Sequence, residues 1–168
     1  MNVSKRFRFM FISIAAVVLS VGLALPAMPS YAVTTYVFVN FDNTNFCLGN
    51  NSSGQSDVGE CFGTPSQTWH VHQTTPIGGT TYKQWENGNN KCLGLAGSTG
   101  PQLVIGACSS TSDHSQFWLG PPTGDIYGSI TNGHTGQCVG TVGGKINGGT
   151  LVIEGACVSG GTQWWLAV

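Results

Sequence analysis

Short runs of alternating apolar and polar residues recur along positions 33–168, separated by Gly, Ser, Asn or Pro. Their apolar members are mainly β-branched or aromatic, which favours strands with one buried face. No window shows the period of an amphipathic helix. The pattern therefore predicts an all-β domain of about twelve strands. These strands are predicted at 35–41, 46–48, 56–61, 68–73, 81–85, 91–95, 102–108, 116–119, 126–131, 137–142, 150–157 and 163–168.

A tripeptide of the form QxW occurs three times, and two cysteines precede each copy. The first cysteine always opens the sequence Cys, aliphatic residue, Gly. This triple coincidence indicates three four-stranded repeats, near 33–75, 76–121 and 122–168. The residues that define the repeats are Cys47, Cys61, Gln67 and Trp69, then Cys92, Cys108, Gln116 and Trp118, then Cys138, Cys157, Gln163 and Trp165.

The QxW spacing places its Gln and Trp on one face of a strand, because side chains alternate between faces. We expect the three Trp residues to share one core and the Gln amides to satisfy backbone groups of nearby turns. Repeat symmetry pairs the six cysteines within units, and each bridge would contribute about 3 kcal/mol. The predicted pairs are Cys47 with Cys61, Cys92 with Cys108, and Cys138 with Cys157.

Residues 1–32 are predicted to be a cleaved secretory signal peptide. Three basic residues precede an apolar run at 9–25, and a small-x-small site ends at Ala32. An uncleaved membrane anchor is the alternative, but two prolines before the site favour cleavage. The domain at 33–168 is thus expected to be secreted and extracellular, without membrane attachment, in a compartment where disulfides persist.

Cleavage would leave three lysines against seven acidic residues, a net charge of −4, which disfavours nucleic acid as a partner. The acidic residues are dispersed and no nucleophile motif occurs, so we expect no catalytic residues and no enzyme. No cysteine pair has zinc-site spacing, and we expect no metal or cofactor. His70 and His72 share one face of a predicted strand, but the sequence offers no evident third ligand.

With three QxW motifs and three cysteine pairs in place, residues 33–168 resemble the ricin B-type, or R-type, lectin family. The resemblance implies a β-trefoil, in which a six-stranded barrel is capped by three hairpins around a pseudo-threefold axis. It also implies non-catalytic binding of a glycan or polysaccharide, often through galactose or xylose-type sugars, with up to one shallow pocket per repeat.

The family pattern places an Asp two residues after the first Cys, an aromatic residue just before the second, and an Asn before the Gln of QxW. All three repeats depart from it at all three places. Glycine supplies neither the paired acceptors of a carboxylate nor a face for stacking. The residues found there are Gly49, Gly94 and Gly140, then Gly59, Gly106 and Gly155, then Ser66, Ser115 and Thr162.

Other polar residues near these places are candidate sugar ligands, and they are densest in the first repeat. We therefore expect any glycan contact to lie there. The alternative is a β-trefoil that has lost sugar binding and acts by protein contact, as an inhibitor or surface component. The candidates are Asn50, Asn51, Asp57 and Glu60 in the first repeat, Asp113 and His114 in the second, and Asn147 and Glu154 in the third.

Overall fold

The computed structural model describes residues 33–98, 100–121, 123 and 126–168. The predicted signal peptide at 1–32 lies outside the described residues. In the part that is described, no helix has the length and apolar character needed to cross a bilayer. The helical segments found there are four single 3₁₀ turns. They span Ala96–Ser98, His114–Gln116, Val142–Gly144 and Gly161–Gln163.

Within the described residues, the prediction of an all-β domain with about twelve strands is confirmed, and twelve are found. The strands are β1 (Tyr36–Asn40), β2 (Phe46–Asn50), β3 (Ser56–Glu60), β4 (Thr68–Ile77), β5 (Thr80–Asn87), β6 (Cys92–Leu95), β7 (Leu103–Gly106), β8 (Phe117–Leu119), β9 (Thr131–Asn132), β10 (Cys138–Thr141), β11 (Thr150–Gly155) and β12 (Trp165–Ala167).

Three strands differ most clearly in length from the prediction. Strands β4 and β5 are longer, because they form one continuous hairpin closed by Gly78 and Gly79. Both glycines have positive φ, as a tight two-residue hairpin turn requires. Strand β9 is reduced to two residues, so the first strand of the third repeat is much shorter than expected.

Every strand pair is antiparallel, and the pairings follow the three repeats. Within each repeat the second and third strands form a hairpin, as β2–β3, β6–β7 and β10–β11. The first strand of each repeat pairs with the last strand of the preceding one, as β5–β4, β9–β8 and β1–β12.

The ladders close into a ring of nine strands, in the order β1, β2, β3, β11, β10, β9, β8, β5 and β4. The resemblance implied a barrel of six. The short β9 accounts for the difference, because among the described residues it forms no ladder with β12. The segment before β9 reaches β12 through two isolated bridges instead, Gly128 with Trp165 and Thr123 with Ala167.

Strand β12 covers the outer edge of β1. The two strands pair from Phe38 opposite Ala167 to Asn40 opposite Trp165. Beyond this ladder, the Val37 amide donates to the Val168 carbonyl at 2.8 Å and the Val168 amide donates back at 3.1 Å. The first and last strands of the domain are therefore fastened together along their length.

The predicted disulfides are confirmed. Cys47 is bonded to Cys61, Cys92 to Cys108, and Cys138 to Cys157. Each bridge ties the second strand of a repeat to the segment directly after the third strand. The first cysteine of each pair is buried, namely Cys47, Cys92 and Cys138.

The three Trp residues of QxW meet in one core, as the repeat pattern predicted. Trp69, Trp118 and Trp165 are each fully buried in a single hydrophobic cluster. Their indole N–H groups donate to the carbonyls of the residues that follow the first cysteines, at 3.0–3.1 Å. Each repeat thus contributes the same ring in the same setting.

The Gln of QxW holds the backbone on both sides of the second cysteine, and we call this arrangement the glutamine clamp. Gln67 donates to the Glu60 carbonyl at 2.7 Å and accepts from the Phe62 amide at 3.0 Å. The other repeats reproduce both bonds. Gln116 bonds Ala107 and Ser109, and Gln163 bonds Ala156 and Val158.

The glutamine clamp packs closely against a glycine on the neighbouring strand. A Cβ atom at Gly94 would lie 2.8 Å from Gln116 Cγ, well inside normal contact distance. Because both ends of the Gln116 amide are engaged, the glutamine cannot move away without losing hydrogen bonds. We expect Gly94→Ala to lower the free energy of unfolding by about 1–3 kcal/mol, as overpacking does. Urea denaturation of the oxidised protein measures this change.

Gly106 provides the matched control for this prediction. It lies in the paired strand β7, has no φ in the positive range, and a Cβ there would meet nothing within 4 Å. Gly106→Ala should therefore change the free energy of unfolding by less than about 0.5 kcal/mol. Equal losses in the two variants would show that the glutamine clamp does not impose the glycine.

Candidate functional site

The glycines that replace the family's Asp lie against the clamping glutamines. A Cβ at Gly49 would be 3.1 Å from Gln67 Cγ, and one at Gly140 would be 2.8 Å from Gln163 Cγ. A carboxylate side chain at either place would need the glutamine to shift. The glycines are therefore part of the packing around the glutamine clamp, and a ligand has to be bound by other groups.

Asn50 and Asn51 are engaged within the protein. Asn50 accepts a hydrogen bond from the Asn87 amide group at 3.1 Å. Asn51 Oδ1 accepts from the backbone amides of Ser53 and Gln55, and so shapes the turn between β2 and β3. Both side chains already have internal partners that a ligand would have to replace.

Asp57 and Glu154 are the two candidates whose acidity is altered. Burial raises the pKa of Asp57, and a backbone hydrogen bond opposes this effect. Burial likewise raises the pKa of Glu154, whose residue is 4% exposed. Thr135 donates to Glu154 Oε2 at 2.8 Å and, with His134, partly offsets the rise. Neither carboxylate lines the two surface depressions described below.

The remaining candidates of the second and third repeats serve local turns or lie free. Asp113 accepts from the backbone amide and the hydroxyl of Ser115, at 3.1 and 2.6 Å, and caps the 3₁₀ turn that carries Gln116. His114 lies edge-on to Phe117. The exposed Asn147 contributes its carbonyl to a turn. The structure does not bring these groups together.

Glu60 is the one candidate that lines a surface depression, which we call the first-repeat pocket. Its cavity volume is about 400 Å³, and it is widely open to solvent. Polar side chains and two phenyl rings share its wall. The lining residues are Thr44, Asn45, Phe46, Glu60, Cys61 and Phe62.

Glu60 and Phe62 flank the second cysteine of the first repeat, and Phe62 is 75% exposed. The same two positions carry Ala107 and Ser109 in the second repeat. The third repeat has Ala and Val there. Because the glutamine clamp uses only backbone atoms at these positions, the fold needs neither the Glu60 carboxylate nor the Phe62 ring.

Phe62 was not among the residues singled out from sequence, although a signal was present. Aligning the three repeats on their second cysteine shows a large aromatic residue in one repeat and small or aliphatic residues in the others. An exposed aromatic ring with no counterpart in sister repeats is a recognisable sign of binding rather than folding.

A second depression, of about 510 Å³, lies beside the start of β5. Lys83 is its charged lining group and lies 5.3 Å from the centre of the buried Trp85 ring. Its described lining is otherwise uncharged. It comprises Thr81, Leu119, Gly120, Pro121, Thr123, Gly128 and Ser129.

No family model and no curated protein matches the sequence. Among solved structures, the chain is similar to a designed threefold-symmetric protein, ThreeFoil, with a TM-score of 0.67 and 18% identity. That match covers 80% of this chain and 97% of the designed one.

Two larger proteins are similar over part of their length. The chain matches an exo-beta-1,3-galactanase from Clostridium thermocellum with a TM-score of 0.68 and 20% identity, over 80% of this chain and 30% of the enzyme. It matches the Polyporus squamosus lectin with a TM-score of 0.60 and 18% identity, over 82% of this chain and 49% of the lectin. The neighbours are β-trefoil proteins, and at these identities the likeness concerns the fold alone.

The raised pKa of Glu154 predicts a pH dependence of stability. The folded protein binds this proton more tightly than the unfolded chain, whose glutamate titrates near its ordinary value of 4.5. The stabilisation from Glu154 is therefore fully present below that pH and is lost as the pH rises through the raised pKa. Glu154→Gln should gain stability relative to the natural protein between pH 4 and pH 7. Free energies of unfolding in urea at the two pH values test this, and a constant difference would contradict it.

Proposed function

We propose that this protein is a secreted, non-catalytic carbohydrate-binding module with a β-trefoil fold of the R-type lectin kind. Its sugar site is the first-repeat pocket, formed by Glu60 and Phe62 on either side of Cys61. The observation that carries the proposal is that these two side chains line an open pocket at positions where the fold uses only backbone atoms.

The chemistry of the pocket suits a sugar ring. A carboxylate accepts two hydrogen bonds from neighbouring hydroxyl groups, as Glu60 can do from its exposed position. The apolar face of a pyranose stacks on an aromatic ring, and the Phe62 ring is available for this contact. Thr44 and Asn45 add hydroxyl and amide groups to the same wall.

The likeness to known proteins supports a sugar-binding module at a coarse level. The Polyporus squamosus lectin is bound in its structure to a human-type influenza-binding epitope, Neu5Aca2-6Galb1-4GlcNAc. The Clostridium thermocellum protein is an enzyme that acts on a galactan, and this chain spans less than a third of it. Lectins and glycoside hydrolases both use β-trefoil modules, so the fold suits such a role.

The three disulfides support secretion, since bridges of this kind persist in oxidising compartments. The signal-like segment at 1–32 supports the same route. In this proposal the standard pocket positions, which hold glycine, serine or threonine in this chain, take no part in binding. One asymmetric site in the first repeat replaces the three symmetric pockets that the R-type resemblance implies.

The decisive experiment replaces Glu60 and Phe62 with the residues that the second repeat carries at the same positions, Ala and Ser. The oxidised protein is screened on a glycan array and on insoluble polysaccharides, and the ligand found is titrated against Glu60→Ala, Phe62→Ser and the double variant. We expect each single change to weaken binding about tenfold or more, because each removes a direct contact. The thermal midpoint should stay within a few degrees, since the glutamine clamp is untouched.

Val158 supplies the control, because it occupies the place of Phe62 in the third repeat and is 62% exposed. Val158→Ser should leave the affinity unchanged. Retention on no sugar at all would overturn carbohydrate binding and favour action by protein contact. Sugar binding that survives the double variant would instead refute the first-repeat pocket as its location.

A further inference from the structure

Three aromatic rings meet on the surface where the third repeat joins the first, and we call them the junction cluster. Phe41 follows β1, Tyr127 precedes β9, and Trp164 precedes β12. The Phe41 ring centre lies 5.2 Å from that of Tyr127 and 5.7 Å from that of Trp164, and both pairs meet edge to face. Phe41 is 48% exposed, and the other two residues are partly exposed. The rings therefore form an aromatic surface outside the core.

The other repeats close the place of Phe41 with glycine. The residue that follows the first strand is Phe41, Gly88 or Gly133, and in each case its amide donates to the carbonyl of the middle residue of QxW at 2.7–3.0 Å. A Cβ at Gly88 would lie 2.9 Å from Pro65 Cα, and one at Gly133 would lie 2.7 Å from Ile77 Cδ1. The protein itself fills two of the junctions. The third carries an exposed ring that the shared backbone contact does not require.

The middle residue of QxW shows the same asymmetry. It is Thr68 in the first repeat, and in the second it is Phe117, which is fully buried. Trp164, in the third repeat, combines a large aromatic side chain with partial exposure. Exposed apolar surface that folding does not require is typical of a binding surface.

A carboxylate lies beside these rings. Asp42 directly follows Phe41 and is exposed. Its Oδ2 atom would lie 3.6 Å from a Cβ at Gly161, in the 3₁₀ turn that leads to Trp164. Aromatic rings next to a carboxylate repeat the chemistry of the first-repeat pocket. This combination suits a pyranose, whose ring has an apolar face and whose hydroxyl groups donate hydrogen bonds.

One short loop connects the junction cluster to the first-repeat pocket. Phe41 and Asp42 begin the loop between β1 and β2, and Thr44 and Asn45 at its other end line the pocket. The Cα atoms of Asp42 and Thr44 are at most about 7 Å apart, because a single residue separates them. Asn40 holds the start of the loop by accepting from the Asp42 amide at 3.0 Å. An oligosaccharide held in the pocket can therefore extend to the cluster.

The charge of this surface favours a neutral ligand. Asp42 and Glu60 are both acidic and exposed. Among the described residues, the pocket lining and the junction cluster include no Lys or Arg. Sugars that carry carboxylates would be repelled, because like charges raise the free energy of the complex.

We propose that Phe41, Asp42, Tyr127 and Trp164 form a second subsite for a neutral glycan chain whose neighbouring units occupy the first-repeat pocket. The inference rests on the proposed function and names its ligand class. The ligand is an extended polysaccharide chain, bound along the loop between β1 and β2, rather than a single terminal sugar.

The test is titration of neutral oligosaccharides of the galactose, xylose and glucose types, from one to six units long, into the oxidised protein. Affinity should rise with length, because a longer ligand reaches both surfaces. Phe41→Ala and Trp164→Thr should each weaken binding of the six-unit ligand about tenfold, and should change binding of the shortest ligand less than about twofold. Trp164→Phe, which introduces the residue of the second repeat, should keep most of the affinity.

Val142→Ala is the matched control, since Val142 is 45% exposed in the turn between β10 and β11. It should bind every ligand as the natural protein does. A six-unit oligogalacturonide supplies the charged counterpart and should bind at least about tenfold more weakly than the neutral ligand.

Trp164 also reports the contact directly. The other four Trp residues of the chain are fully buried, so acrylamide should quench mainly the fluorescence of Trp164. The six-unit ligand should protect the natural protein from this quenching. Trp164→Thr should lose both the quenching and the protection.

Binding that weakens in Glu60→Ala but is independent of ligand length and unchanged in Phe41→Ala would overturn the second subsite and leave the first-repeat pocket in place. Equal affinity for the oligogalacturonide would overturn the neutral ligand class. Binding of no oligosaccharide by the natural protein would overturn the proposed function and this inference together.

Discussion

In each repeat a single glutamine amide holds the peptide on both sides of the second cysteine, donating to the carbonyl before it and accepting from the amide after it. The same glutamine packs closely against a glycine on the adjacent strand. Two residues after this glutamine, a Trp side chain packs in the common core. The loop, the disulfide and the core residue are therefore fixed by one side chain, and the glutamine clamp recurs three times.

This dependence explains why so much of the fold could be predicted. The glutamine clamp needs Gln, Trp, Cys and Gly at fixed separations, and such a requirement is visible as a repeated motif. Antiparallel strands with one buried face are visible as alternation. Closure over nine strands was not predictable, because it follows from the loss of pairing at β9, which retains only Thr131 and Asn132.

Contacts between side chains on different strands were harder to predict, because they depend on the register in which the strands pair. Glu86 is sixteen residues from His70 in sequence and directly opposite it in the sheet. A buried Asn near the end of the first strand of each repeat was also missed. Asn40, Asn87 and Asn132 are fully buried, and each donates a hydrogen bond from its side-chain amide. The acceptors are the Thr162 carbonyl, the Asn50 side chain and the Ser115 carbonyl. These residues could have been found from the sequence, because in each repeat the Asn lies five to seven residues before the first cysteine.

Strand β12 is only three residues long, yet it covers the edge of β1. An uncovered edge presents a row of unpaired backbone groups to which another chain can add a strand. The bonds between Val37 and Val168 extend this cover by one residue beyond β12. Detachment of β12 would thus expose a template for intermolecular pairing while leaving the three disulfides intact, since no bridged cysteine lies in β1 or β12.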